Sequence, residues 1–585
     1  MSQKDDAQKT EQQKGLSRRG FLRGSVAAAA VAGIASAGLL AGCSKETKAP
    51  QGPAAQDPNT GWLGEPPNIA DSDIKQTMQA DVVIVGAGVA GLNAARAAAE
   101  AGASVIVVEK AATYQYRSGE YAAIDSKLHK ELGAKVDKGA LINESMKQMG
   151  YRADARLWKY WADHSGEAYD WLLELAPDYK LYAETDLSYD KKNVNIQALH
   201  FNRPAGYDPV KENSPSWPTP LVFVPNQGAM LERVYQRCLE KGVKFVFSAP
   251  ARKLIRPDNQ GKVQGVICQD ANGYTKVLAK KGVILATGDY GNNKAMVEHF
   301  CPYGLVNVQN LFSNKDDDGN PINVGDGHKM AAWIGGKIED IPHAPMNHSM
   351  GSALGTSAYF LASTHGERFV NEDTGGQQMA NALLNQPGGF GWHIFDDKWS
   401  EQLESMAFTH GSVNHVVPDD KMPEVSMELM MTYGILSFTS RGAIKNNKNV
   451  LKADTLEELV TKLGLEAEAQ SKMLQSLKRY NEFCAQGVDE DFYKTPKRLF
   501  PITTGPFYAT KYNPGVFLIA LGGLKINPET LNVYDTDYKA IEGLYAAGNV
   551  QGGRFAVDYP VTAPGISHGM CLTFGRLAGA TVAKL

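Results

Sequence analysis

Between Ala80 and Lys110 the chain passes from one run of apolar residues to another through an alanine-rich stretch. Val82 to Val85 is short and β-branched, the texture of a strand buried on both faces of a parallel sheet. Leu92 to Ala101 predicts a helix, and Ser104 to Val108 a second buried strand. The same strand texture returns at Gly282–Leu285 and again at Gly543–Ala546. Helices are expected over Gly228–Gly242, from Gly325 through Ile334, and from Pro564 to Leu585. A strand is expected over Lys244–Ser248, and a hairpin from Val263–Gln269 and Thr275–Leu278. Residues 130–180 read as mainly helical, with Trp158, Trp161 and Trp171 in the core, and residues 185–220, rich in proline, as loop. Residues 340–505 differ, with more Met, His, Asn and Gln and few buried-strand signals. No internal repeat is visible. The pattern predicts an α/β protein: a Rossmann-like domain, discontinuous over 78–338 and 507–585, interrupted by an α+β capping domain over 339–506.

The turn after the first strand carries the first chemistry. Gly86, Gly88 and Gly91 stand in GxGxxG spacing between strand and helix, and the second strand ends on Glu109. Gly86 permits the tight turn, Gly88 lets backbone approach a pyrophosphate, and Gly91 lets helix and strand pack closely. The helix N-terminus faces the phosphates, and Glu109 can accept hydrogen bonds from a ribose diol. Ala90 inside the motif and Lys110 after the acid belong to the same expected dinucleotide site.

Length and charge narrow the rest. The 585 residues exceed one core, and 43% hydrophobic with 21% charged residues is ordinary for a globular protein. A formal net charge of −4 without a basic stripe argues against a nucleic-acid partner. The first 43 residues read as an address: Ser17-Arg18-Arg19-Gly20-Phe21-Leu22 resembles a twin-arginine export motif, followed by an apolar run from Ser25 to Gly42. Leu40-Ala41-Gly42-Cys43 resembles a lipobox, which would lipidate Cys43 and attach the exported protein, in the periplasm or at the cell surface, to a membrane. Residues 44–77 are expected to be a flexible linker. The other cysteines, Cys238, Cys268, Cys301, Cys484 and Cys571, form no CxxC, CxxCH or ferredoxin-like run and read as buried free thiols. No metal site is expected.

Six ordered motifs carry a family resemblance: GAGVAGLNAARAAAEAGASVIVVEK, GVILATG, GDGHKMA, HGERFVNE, GLYAAGN and TFGRLAG. Together they resemble the fumarate reductase/3-ketosteroid dehydrogenase class of flavoproteins. The resemblance implies one noncovalent FAD, its ADP half on the first glycine motif. Ala286, Thr287, Gly288, Asp326, Gly548 and Asn549 would lie along its other parts, and Ser118 and Gly119 would match a flavin-contacting SGG segment whose last glycine is here Glu120. Tyr116 and Tyr121 could line the flavin, and His365 and Arg368 would organise a turn of the cap. The Met-rich run at Met422, Met427, Met430 and Met431 reads as core. The resemblance also implies hydride transfer between flavin N5 and a carbon of an activated C=C bond.

The catalytic positions depart from that family. Fumarate reductases place a proton-donating arginine, and ketosteroid dehydrogenases a tyrosine, where this chain has Gly376. A carboxylate-clamping histidine is replaced by Ile519, and a clamping arginine by Tyr559. Tyr559-Pro560 resembles the Tyr-Pro pair with which ketosteroid dehydrogenases polarise a ketone, although the partnering glycine is displaced to Gly565 by Ala563. His343 and His348 fall near a substrate-contacting histidine and are candidate proton carriers. Fumarate is therefore an unexpected substrate, and an enone- or acrylate-like molecule fits better. Electrons would come from a separate membrane or extracytoplasmic protein. A ketosteroid-type dehydrogenase and a non-catalytic flavin electron carrier stay open as alternatives.

Overall fold

The computed structural model describes residues 61–117, 119–183, 186, 193–198, 207–224, 226–302, 314–316, 318–348, 352–406, 413–423 and 438–585. The export motif, Cys43 and the linker up to residue 60 lie outside them, as do Ser118, Met427, Met430 and Met431.

The central sheet is built on five parallel strands: β1 (Ile74–Val85), β2 (Val105–Val108), β3 (Lys244–Val246), β4 (Gly273–Leu285) and β5 (Ala540–Ala546). Their spatial order is β5-β4-β1-β2-β3, with Asn532–Tyr534 antiparallel at the β5 edge. Val82 and Ile84 of β1 face Val105 and Val107 of β2 and Gly282 and Ile284 of β4, so each apolar run is buried by its neighbours. Two expectations are corrected here. β1 opens at Ile74, because Ile74–Ala80 pair with Tyr274–Ala279, and β4 continues unbroken from the hairpin into the buried strand. Residues 61–77 are also docked rather than a loose linker. Trp62 packs edge-on against Phe300 at 4.9 Å, and the Trp333 indole donates to the Gly64 carbonyl at 3.0 Å.

Helix α1 (Val89–Glu100) lies on this sheet and is crossed by helix α2 (Ile566–Ala583). The two touch backbone to backbone: a Cβ on Gly575 would sit 2.4 Å from the Ala90 carbonyl oxygen, and one on Gly579 2.1 Å from that of Ala94. Alanines and glycines are needed on the facing sides, which is why both helices are rich in them. Trp158 and Trp161 are fully buried beside α2, and Trp171 is partly buried.

Residues 360–512 form a second, antiparallel sheet in the order Phe360–Ala362, Gly391–Phe395, Phe507–Tyr512, Val450–Ala453. Helix Ala467–Gln486 covers it with Met473, Leu477 and Tyr480. Phe507–Tyr512 is thus an inner strand of this sheet, not the start of the returning nucleotide-binding segment. Its mix of aromatic, small and β-branched residues would suit a strand of either sheet, so pattern alone could not assign it. A ribbon of Ala344–His348 against Val516–Leu521 follows the sheet. Arg368 is committed within this part of the molecule: it forms forked pairs with Glu372 (2.7 Å) and Asp489 (2.8–3.0 Å).

Candidate active site

Each glycine of the β1–α1 turn meets a different constraint. Gly86 has φ +105, and a Cβ there would lie 2.4 Å from the Ala286 carbonyl oxygen on the neighbouring strand. A Cβ on Gly91 would lie 1.9 Å from the Gly86 oxygen, so helix and turn touch. Gly88 differs, because its nearest neighbour to an added Cβ is the Gln115 oxygen at 3.9 Å. The space over Gly88 is left open by the protein. Glu109 is buried beneath the turn and accepts the Ala87 N–H at 2.7 Å and the Ala111 N–H at 2.9 Å. Burial pushes its carboxyl up, and the two N–H groups pull it back.

From this turn a cleft extends along the C-terminal ends of the parallel strands, the place where open α/β sheets bind ligands. It is lined by Gly86, Gly88, Ala90, Glu109, Lys110, Ala286, Thr287, Gly288, Asp326, Gly548 and Asn549. Lys110 pairs with Asp326 at 2.6 Å across its rim. Gly91 lies behind the wall, and Gly119 backs His568, whose ring a Cβ on Gly119 would meet at 2.9 Å. An elongated dinucleotide fits this surface: the Gly88 backbone is open to it, and the buried Thr287 Oγ1 has no protein partner.

Sequence reasoning missed several residues of the wall. His568 lines it, with its Nδ1 3.1 Å from the Glu120 oxygen, and burial drops its pKa to about 4. Tyr121, an expected flavin neighbour, instead stacks behind His568 at 5.4 Å and donates to Gln227. Tyr116 does line the cleft. So do Arg117 and Asp289, bridged by Asn323: its Oδ1 accepts from Arg117 and its Nδ2 donates to Asp289, both at 3.0 Å. Cys571, read only as a free thiol, also lies on the wall.

Of the catalytic candidates, Tyr559 and Gly565 lie at the N-terminus of α2. Tyr559 is 3% exposed, and its ring packs on Phe555 at 5.1 Å. Burial raises its hydroxyl pKa well above the ordinary value, opposed by the Ser567 N–H in the first turn of α2. Gly565 caps that helix at φ +81, its carbonyl taking the Ala122 N–H at 3.0 Å. Gly376 opens helix Gly376–Leu384, and a Cβ on the preceding Gly375 would meet Val561 at 2.8 Å. Ile519 is buried opposite Met346 in the ribbon, and both share an apolar cluster with Tyr559.

His343 is a correction. Its Nδ1 lies 2.6 Å from the Tyr290 hydroxyl and its Nε2 3.1 Å from the Glu339 carbonyl, while its ring stacks on Phe300 at 4.7 Å. Both nitrogens are engaged, and burial lowers the pKa to about 3, so it is a packing residue and no proton carrier. The His348 backbone pairs with Val516, and its side chain lies outside the described atoms.

Asp558, unanticipated, joins Tyr559 to the Gly376 helix. It accepts the Tyr559 N–H at 2.9 Å and the Asn381 amide at 2.8 Å, and burial raises its pKa to about 7. A raised acid favours folding below its unfolded pKa near 4, and that contribution fades as pH climbs through about 7. Asp558→Asn should therefore gain on the wild type between about pH 4 and 7, by up to about 4 kcal/mol. Denaturant midpoints of both proteins across that range measure it, and parallel curves would contradict the burial.

Known proteins resemble the chain over most of its length. The family described as FAD binding domain matches residues 81–563. A vinyl phenol reductase of Lactiplantibacillus plantarum is 29% identical over 86% of this chain and 96% of its own length. A probable fumarate reductase of Shewanella frigidimarina is 28% identical over 86% of this chain and 74% of its own. Among solved structures, the 3-ketosteroid-Δ4-(5α)-dehydrogenase of Rhodococcus jostii superposes with a TM-score of 0.67 at 23% identity, covering 89% of this chain and all of that one, which shows the fold. The chain therefore belongs to the FAD binding domain family, as an FAD-dependent oxidoreductase.

Proposed function

We propose that this protein reduces an activated C=C bond in a bulky, weakly charged molecule, such as an enone or a vinyl- or acrylate-substituted ring. The observation that carries the reading is Tyr559, a buried phenol at the N-terminus of α2, in place of a cationic clamp. FAD supplies hydride exchange at its isoalloxazine N5. The chain's residues do the rest. The Tyr559 hydroxyl, with its pKa raised, stays protonated and donates a hydrogen bond to the conjugated oxygen as negative charge develops there. Ile519, a buried apolar residue, stands where the family resemblance places a carboxylate-clamping histidine, so a dicarboxylate would be left poorly compensated. The similarity to a vinyl phenol reductase over nearly its whole length supports a substrate of this kind.

Electrons would arrive from a separate protein. The sequence has no haem or iron–sulfur motif, and the twin-arginine and lipobox motifs at Arg18-Arg19 and Cys43 would place the protein outside the cytoplasm, where NADH is scarce. No helix among the described residues is long and apolar enough to cross a membrane. The test is anaerobic reoxidation of the dye-reduced protein by a panel of enones, vinylphenols, aryl acrylates, ketosteroids and dicarboxylates. Reoxidation by the first three and not by fumarate supports the reading. Bleaching of the oxidised protein by a saturated ketone would replace it with a dehydrogenase, and silence throughout with an electron carrier. Steady turnover with NADH alone would overturn the separate donor.

A further inference from the structure

Arg554 is a buried charge that the site as described does not use. Its side chain is 1% exposed. Nε donates to the Gln551 carbonyl at 3.3 Å and Nη2 to Asn549 Oδ1 at 2.9 Å, while Nη1 has no hydrogen-bond partner. No carboxylate among the described residues forms an ion pair with it. Glu339 is the nearby acid, but its two oxygens are taken by the Gly523 and Gly553 N–H groups at 2.8 and 2.7 Å. A guanidinium keeps its charge, and one buried without a partner is strongly unfavourable unless an anion meets it.

Its surroundings indicate where that anion would lie. Asn549 is on the cleft wall, and Cys571, also on that wall, is among the groups that act on the guanidinium. Tyr559 acts on it as well, and Ser567 in the first turn of α2 donates its hydroxyl to Asn549 at 3.2 Å. A neutral asparagine thus links the guanidinium to the start of a helix, the end that favours negative charge. The cations that line the wall are already paired, Lys110 with Asp326 at 2.6 Å and Arg117 with Asp289 at 3.7 Å.

We propose that Arg554 holds negative charge at the floor of the cleft, on an anionic oxygen of the bound small molecule or on the reduced ring of the cofactor. The cofactor source requires only FAD binding, while the small-molecule source rests on the function proposed above. Arg554→Met removes the charge at similar length, and Arg554→Lys keeps it. Two readouts separate the sources. The first is the midpoint potential of bound FAD, measured by dye equilibration without any organic ligand. The second is the affinity for 4-nitrophenolate, followed by its visible absorbance. A fall of about 30 mV in Arg554→Met, a tenfold weaker hold on reduced over oxidised FAD, assigns the charge to the cofactor. A tenfold loss of 4-nitrophenolate affinity at unchanged potential assigns it to the small molecule. Arg554→Lys should recover part of either effect. If Arg554→Met does not fold with FAD, Asn549→Asp places an acid against Nη2 and should cause the same loss with the guanidinium retained. A folded, FAD-loaded variant with both readouts unchanged overturns the proposal. Because the potential needs no substrate, it stands apart from the outcome of the acceptor panel.

Discussion

Tyr559→Phe should lower turnover on the best acceptor by roughly 10²–10³, the typical loss when one preorganised donor to a developing oxyanion is removed. The substitution keeps the ring that packs on Phe555 and deletes only the hydroxyl, so FAD content and melting temperature should stay at wild-type values. Burial makes the hydroxyl effective. In a water-poor site its hydrogen bond to a charged oxygen is not diluted by solvent, and its raised pKa keeps the proton in place across the working range. Single-turnover reoxidation of the dye-reduced protein isolates the chemical step from donor exchange. A fall smaller than about threefold would leave Tyr559 as a packing residue. The converse exchange, Tyr559→Arg, should not produce fumarate reduction, because Gly376 still offers no proton donor.

The reading of the βαβ unit from sequence succeeded because each signal there is local. A β-branched run, a glycine spacing and an acid at the next strand's end all fall within one short βαβ stretch, in which Glu109 returns to the turn at Ala87 and also holds Ala111. The strand order could be anticipated only in part, since β4 and β5 reach the sheet from distant segments. What was not legible depends on long-range packing. Phe507–Tyr512 has a composition that either sheet could hold, and only its partners place it in the second sheet. His343 had the residue type of a proton carrier, but Tyr290 and the Glu339 carbonyl take both its nitrogens. Arg554 and Asp558 both precede Tyr559 in a loop with no periodicity. Their burial follows from α2, helix Gly376–Leu384 and the cleft wall meeting there, which no window of sequence reports.

Gly88→Val and Gly91→Ala should fail in opposite ways, and the contrast is the strongest test of the cofactor site. At Gly88 an added Cβ has its nearest protein neighbour at 3.9 Å, so the fold can accept a side chain there. The backbone torsions at Gly88, φ −82 and ψ −170, are extended and open to any residue. What the side chain takes is the space through which a pyrophosphate would approach the turn and the N-terminus of α1. Gly88→Val should therefore purify as folded protein with little bound FAD, its circular dichroism close to that of cofactor-stripped wild type. At Gly91 even a methyl group would lie 1.9 Å from the Gly86 oxygen, a distance no rotamer change can relieve because the obstacle is backbone. The helix would have to lift from β1, disturbing the α1–α2 contact as well. Gly91→Ala should then lose several kcal/mol of stability, about the scale of a severe core substitution, and accumulate as insoluble chain. Yellow, FAD-loaded Gly88→Val protein would show that the dinucleotide does not lie over this turn.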